Sequence, residues 1–414
     1  MSQQIKNRGW MVTFSGTGIN LALGILYAWS IFKDAIKVSI ESAAPGAFDW
    51  DIATLNDPYA ICCLVFAFSM ILAGKCQDKF GPRITSFLGG ILVGIGLIWI
   101  STTTSYITWI LGFGVLSGIG IGFGYSAATP PALKWFPPKK TGLIAGLVVS
   151  GFGLASVYIA PLSQFLLGTY GIQRSMFFYG IAFLIIVCLL SLMLINPPAG
   201  YVPESSTSSG SGTSKAIQSN FLPSEMLKTG AFYRIWLLYF IGSGAGLMVI
   251  GSVASMAKKS MGDMAFLAVA IMAIGNAGGR IIAGILSDKI GRKATLIIML
   301  LFQAILMFIA IPVVGSGNTN SIILVFIATL IGFNYGTNLS LFPSLTKDSW
   351  GLKNFGINYG IVFTAWGVGG FVMGRLSQML QASSGSYNSS FITAGILLII
   401  SVIVAFTIKS EKQP

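Results

Sequence analysis

Gly74-Lys75-Cys76-Gln77-Asp78-Lys79-Phe80-Gly81-Pro82-Arg83 closes one apolar run of the chain, and Gly284-Ile285-Leu286-Ser287-Asp288-Lys289-Ile290-Gly291-Arg292-Lys293 closes another. The matching positions stand 210 residues apart in a chain of 414, which marks an internal repeat and two related halves. The chemistry suits a hinge where a helix leaves a membrane. Asp78 and Asp288 can cap or pair at a helix end. Gly81 and Gly291 permit a tight turn. Arg83, Arg292 and Lys293 can anchor on anionic headgroups.

Composition agrees with a membrane setting. The chain is 54% hydrophobic and 9% charged, against about 25% charged residues in a soluble domain. Twelve apolar runs approach the ~20 residues that a spanning helix needs: 10–32, 54–74, 84–101, 106–129, 141–168, 175–195, 233–256, 263–286, 294–314, 320–342, 355–380 and 388–408. Of 25 lysines and arginines, 18 fall on one side, counting Arg234 at the edge of its run, 5 on the other and 2 within runs. This positive-inside bias places both termini in the cytoplasm and the chain in the plasma (inner) membrane. It also explains the net charge of +13 without nucleic acid. The longest outer loop is expected from Lys33 to Asp57. The stretch 196–230 is a cytoplasmic linker whose core, Glu204–Ser219, is rich in Ser, Gly and Thr. It divides an N-terminal bundle, 1–195, from a C-terminal bundle, 231–414. The expected fold is an all-α membrane protein of twelve transmembrane helices in two six-helix bundles.

Cys62, Cys63, Cys76 and Cys188 lie in or beside apolar runs with no metal-ligand spacing, so packing is expected and no disulfide. The chain has no histidine, and we find no paired carboxylates at membrane depth, metal-ligand cluster or phosphate loop. The reading is a non-enzyme without metal or cofactor. A sensor is a poorer match, because the loops and the tail beyond Lys409 offer no output surface.

Arg280 stands out within Phe266–Leu286, an apolar run in which it is the only charged residue. A cation there costs about 2.5–3.5 kcal/mol on insertion scales and usually faces a water-filled cavity and a partner. Gly275, Asn276, Gly278 and Gly279 thin the helix wall before it. No acidic residue or histidine inside any run can neutralise it. Two readings follow: a mobile anion supplies the missing charge, or the side chain snorkels to the headgroups.

The repeated motif resembles the loop signature of the major facilitator superfamily, and the resemblance spans nearly the whole chain. It implies two pseudo-symmetric bundles that rock around a central site. Lys134-Trp135-Phe136-Pro137-Pro138-Lys139-Lys140-Thr141-Gly142 before the fifth run resembles the monocarboxylate transporters and the oxalate/formate antiporter family. Leu341-Phe342-Pro343-Ser344, Asn358-Tyr359-Gly360 and the arginine of the eighth run share that resemblance.

The resemblance, with helical spacing, names a substrate site. Arg280 offers a planar fork of donors suited to a carboxylate, and Asn276, one turn before it, is expected in the same site. Asn334, Tyr335 and Leu339 come from the tenth run, with Tyr335 and Leu339 one turn apart. Tyr359, Phe363 and Trp366 form one stripe of the eleventh, open to packing or to ligand contact. Tyr27 and Tyr125 match substrate-lining tyrosines and can donate a hydroxyl or act as an apolar gate. The gating motif comprises Gly74, Asp78, Gly81, Arg83, Gly284, Asp288, Gly291 and Arg292.

Two departures refine the expectation. Oxalate carriers place a lysine where this chain has Trp366, so one cation beside a bulky apolar neighbour favours a monoanion. Animal monocarboxylate transporters carry an aspartate where this chain has Asn276, so the usual proton acceptor is missing. Pro161 is expected to bend the fifth run, and Arg375 to snorkel at the outer end of the eleventh. The resemblance implies proton symport of a short monocarboxylate such as L-lactate, by a monomer whose partners are substrate, proton and lipid. Anion exchange of the oxalate/formate type is the alternative.

Overall fold

A computed structural model describes residues 7–198, 200, 201, 203, 220–250, 253–315 and 320–408. Eleven helical stretches among them are long and apolar enough to cross a membrane. One of these, Pro138–Ser191, turns back at Gly171 and supplies two crossings, so the expected twelve are present. They are α1 (Gly9–Ser42), α2 (Asp57–Phe80), α3 (Pro82–Ile100), α4 (Tyr106–Trp135), α5 (141–170), α6 (172–191), α7 (Gly230–Ile250), α8 (Ala265–Ile290), α9 (Arg292–Gly315), α10 (Ser321–Trp350), α11 (Phe355–Ser384) and α12 (Asn388–Phe406). Leu72, Leu189, Ile322 and Ile403 point outward, as lipid-facing positions do.

Several helices run past the apolar segments that announce them, as α1, α4 and α10 do. The expected outer loop from Lys33 is partly helix, because α1 continues to Ser42 and carries a Lys37–Glu41 pair at 3.7 Å. Ala43, in the left-handed region at φ 47°, then stops it. The core of the expected linker, Glu204–Ser219, lies outside the described residues. Its flanks are fastened: the Tyr201 hydroxyl donates to the Trp135 carbonyl at 3.3 Å, and the Phe221 N–H donates to the Trp350 carbonyl at 3.1 Å. All four cysteines are free thiols.

Gly171 makes the α5–α6 corner at φ 75°, ψ 177°, a conformation nearly reserved for glycine. A Cβ there would meet nothing within 4 Å. Gly171→Ala is therefore expected to cost only the backbone strain, about 1–3 kcal/mol, visible as a lowered thermal midpoint in detergent. An unchanged midpoint contradicts it. Pro161 leaves the helical dihedrals of α5 intact, so the break falls at the glycine and not at the proline.

The repeated motif closes one end of the molecule. Gly81 and Gly291 turn the chain at φ 87° and 89°, leaving Asp78 and Asp288 at the tips of α2 and α8. Each reaches into the other bundle. Asp78 accepts from the Gly356 and Ile357 N–H groups of α11 at 3.3 and 3.1 Å. Asp288 accepts from Gly142 and Leu143 of α5, both at 3.0 Å. A carboxylate suits a helix N-terminus, where free N–H groups and the dipole favour negative charge. The approach depends on glycine: a Cβ on Gly74 would overlap the Gly356 carbonyl, and one on Gly142 would overlap that of Gly284.

Arg292 does not anchor on headgroups as expected. It bridges Asp288 at 2.6 Å and Asp348 at 2.9 Å, and its side chain is only 10% exposed. Arg83 is exposed. At the opposite end, α1, α5 and α8 stand apart around a cleft of ≈ 660 Å³ lined by Ser30, Asp34, Gln164, Leu167, Phe266 and Val269.

Candidate substrate site

Arg280 lies between the closed end and the cleft and is 0% exposed. It does not snorkel. Its Nε donates to Asn276 Oδ1, one turn earlier on α8, at 3.1 Å. Nη1 donates across the bundle interface to the Val149 carbonyl of α5, and Nη2 reaches the Tyr27 hydroxyl at 3.5 Å. All three acceptors are neutral, and Arg280 makes no ion pair among the described residues. The water-filled cavity expected beside it does not touch it, since protein dipoles pack around the guanidinium instead. Dipoles solvate a buried charge without cancelling it, and the residual penalty is several kcal/mol.

Local geometry explains the arrangement. Gly153 lets α5 pass the guanidinium, with an added Cβ 3.2 Å from Nε. Gly275 and Gly279 press α8 against the Thr329 and Phe333 carbonyls of α10, so they serve helix contact, and only Gly278 faces open space. Tyr27 sits in Gly24–Ala28, where α1 tightens into a 3₁₀ turn, a feature often found at functional bends.

From Tyr27 a hydroxyl chain runs across the molecule. Tyr27 and Tyr335 share a hydrogen bond of 2.6 Å, and the Trp366 indole donates to Tyr335 at 2.7 Å. Trp366 is therefore not only the bulky apolar neighbour expected, because its one polar atom holds Tyr335. The inventory is lopsided. Indole and guanidinium can only donate, so each hydroxyl oxygen already receives one hydrogen. One hydroxyl then donates to the other, and the remaining hydroxyl proton has no acceptor among the described residues. The cluster is rich in donors and short of an acceptor.

Tyr125, Phe363 and Trp366 join Phe66 and Phe152 in an aromatic wall. Phe66 lies 5.4 Å from Tyr125, 5.1 Å from Phe363 and 5.3 Å from Trp366, and Phe152 packs edge-on to Tyr27 at 5.0 Å. The Tyr125 hydroxyl is buried and makes no hydrogen bond in this wall. Leu339 is buried one turn beyond Tyr335. Asn334 turns away, toward Met299 and Gln303 of α9. Sequence reasoning missed Phe66, Phe152 and the Val149 carbonyl; the spacing of Gly146, Val149 and Gly153 on one α5 face was the available signal for the last.

The family profile of the Major Facilitator Superfamily matches residues 9–374 and, in a second alignment, 235–414. The chain belongs to the Major Facilitator Superfamily. It is a multi-pass membrane transporter. Among curated relatives of this Major Facilitator Superfamily chain, it is 29% identical to the uncharacterized MFS-type transporter YhjX of Escherichia coli, over 87% of this chain and 85% of the other. It is 25% identical to the oxalate:formate antiporter of Oxalobacter formigenes, over 94% and 89%. It is 27% identical to monocarboxylate transporter 13 of Rattus norvegicus, over 94% and 86%. A double-tryptophan mutant of XylE superposes with a TM-score of 0.75 at 15% identity, over 98% and 97%. Such distant likeness speaks to the fold.

Proposed function

We propose that this chain carries short monocarboxylates, L-lactate among them, across the inner membrane with a proton. Its bundles, 1–195 and 231–414, would expose the site alternately, with both termini in the cytoplasm. The observation behind this reading is Arg280, a wholly buried cation with neutral partners, beside a hydroxyl chain that lacks one acceptor. A carboxylate supplies both the charge and the acceptor. Arg280, Asn276, Tyr27, Tyr335 and Trp366 then form its polar cradle. The wall of Tyr125, Phe363, Phe66 and Phe152, backed by Leu339, accommodates a small apolar tail. One cation favours a monoanion over oxalate. Loading neutralises Arg280 and lowers the barrier to rocking, while Gly74, Asp78, Gly81, Arg83, Gly284, Asp288, Gly291 and Arg292 govern one end.

Arginine keeps its proton in proteins, and no carboxylate among the described residues pairs with it, so the coupled proton travels through the tyrosine hydroxyls or joins the substrate only as it leaves Arg280. Lactate uptake by proteoliposomes is expected to rise with a pH gradient, acid on the side of uptake. A flat response removes symport. The likeness to an oxalate:formate antiporter favours exchange as the second reading, and trans-stimulation without pH dependence would establish it.

A further inference from the structure

Two charged side chains are buried among the described residues, Arg280 and, at 8% exposure, Lys347. Neither makes an ion pair there. Both hold α5 from the other bundle: Arg280 donates to the Val149 carbonyl, and the Lys347 ammonium donates to the Thr141 hydroxyl. Asp288 and Asp348 are committed to Arg292. Thr141 gives its own hydrogen to the Pro138 carbonyl at 2.8 Å, so its oxygen is free to receive Lys347.

The contacts between these two points form one line. A Cβ on Gly153 would lie 3.2 Å from the guanidinium, one on Gly146 would overlap the Arg280 carbonyl, and one on Gly142 would overlap that of Gly284. Residues 142, 146, 149 and 153 share a face of α5, and Thr141 opens the helix beside it. That face lies against α8 and α10. From Val149 to Thr141 the helix rises about 12 Å at 1.5 Å per residue. Opening the closed end means lifting this face away. A groove opened there would have Arg280 at its floor and Lys347 at its rim.

We propose that Lys347 is a second station for the carboxylate, receiving it from Arg280 as it leaves toward the motif end. The inference rests on the carrier reading above. Transport requires release as well as capture, and a second site along the path favours release. In a narrow groove with low-dielectric walls, a cation's field reaches further than in bulk water.

The test uses proteoliposomes of defined orientation, with the KM for L-lactate measured separately from each face. Lys347→Gln is expected to raise KM at the motif face about fivefold while leaving the cleft face within about twofold. Lys347→Arg, which keeps the charge, is expected to behave as the unaltered protein. Thr141→Val removes the hydroxyl that Lys347 holds, and KM at the motif face should not follow it. An unresponsive Lys347→Gln overturns the proposal, as does a Thr141→Val that reproduces it, because the ammonium would then only clamp α5. An unaltered protein that carries no carboxylate from either face overturns the carrier reading and this one together. Normal flux with an unresponsive Lys347→Gln overturns this one alone.

Discussion

Arg280→Ala is expected to lower L-lactate uptake by about two orders of magnitude or more, since a hydrogen bond to a charged group contributes about 1.5–3 kcal/mol and the fork offers two. Arg280→Lys tests shape against charge. An ammonium carries the charge but cannot serve Asn276, Val149 and an incoming carboxylate in one plane, so a loss of about tenfold or more is expected. Initial rates in proteoliposomes check both. Uptake at the unaltered rate by both variants would show that the substrate lies elsewhere.

The second large effect comes from Gly74→Leu. The added side chain would collide with the Gly356 carbonyl, and backbone at a helix start yields less readily than a flexible side chain. The motif end should then be unable to shut. Net transport is expected to fall at least about tenfold, because closure of this end is one half of each cycle. Thermal stabilisation by ligand should persist, since Gly74 lies in the last two turns of α2 and packs against the start of α11, not against Arg280. Spin labels at the exposed positions Lys79 and Lys353 should move apart relative to the unaltered sequence. A variant with normal uptake, or with the label distance unchanged, would show that this contact does not control closure.

The fold was legible because its two strongest signals are physical necessities. A bilayer demands long apolar runs, and two copies of Gly-x-x-x-Asp-Lys-x-Gly in register leave little room for another architecture. Arg280 was legible for the same reason, as an isolated cation in hydrocarbon. The repeat predicted a turn and a cap at Asp78 and Asp288, but it could not say that the capped helices belong to the opposite bundle. Lys347 was missed because it lies five residues beyond the last apolar position of its run. Hydropathy assigns it to water, whereas α10 carries it down an interface between bundles. Phe66 and Phe152 were missed because aromatic residues are common on every helix here, and only the packing shows which of them meet. Asn334 shows the converse error. It neighbours Tyr335 in sequence, yet about 100° of helical rotation separates adjacent residues, and that turn points it at α9.

The reciprocal grip of Asp78 on α11 and Asp288 on α5 has a consequence for bioenergetics. Each bundle holds the fastening of the other, so neither half of the closed end can loosen while its counterpart stays locked without distorting both. Such an end favours parting in one concerted movement over fraying helix by helix. A pore that frayed while the far mouth was still ajar would short-circuit the gradients that the cell spends energy to maintain, and crossed fastenings guard against that leak.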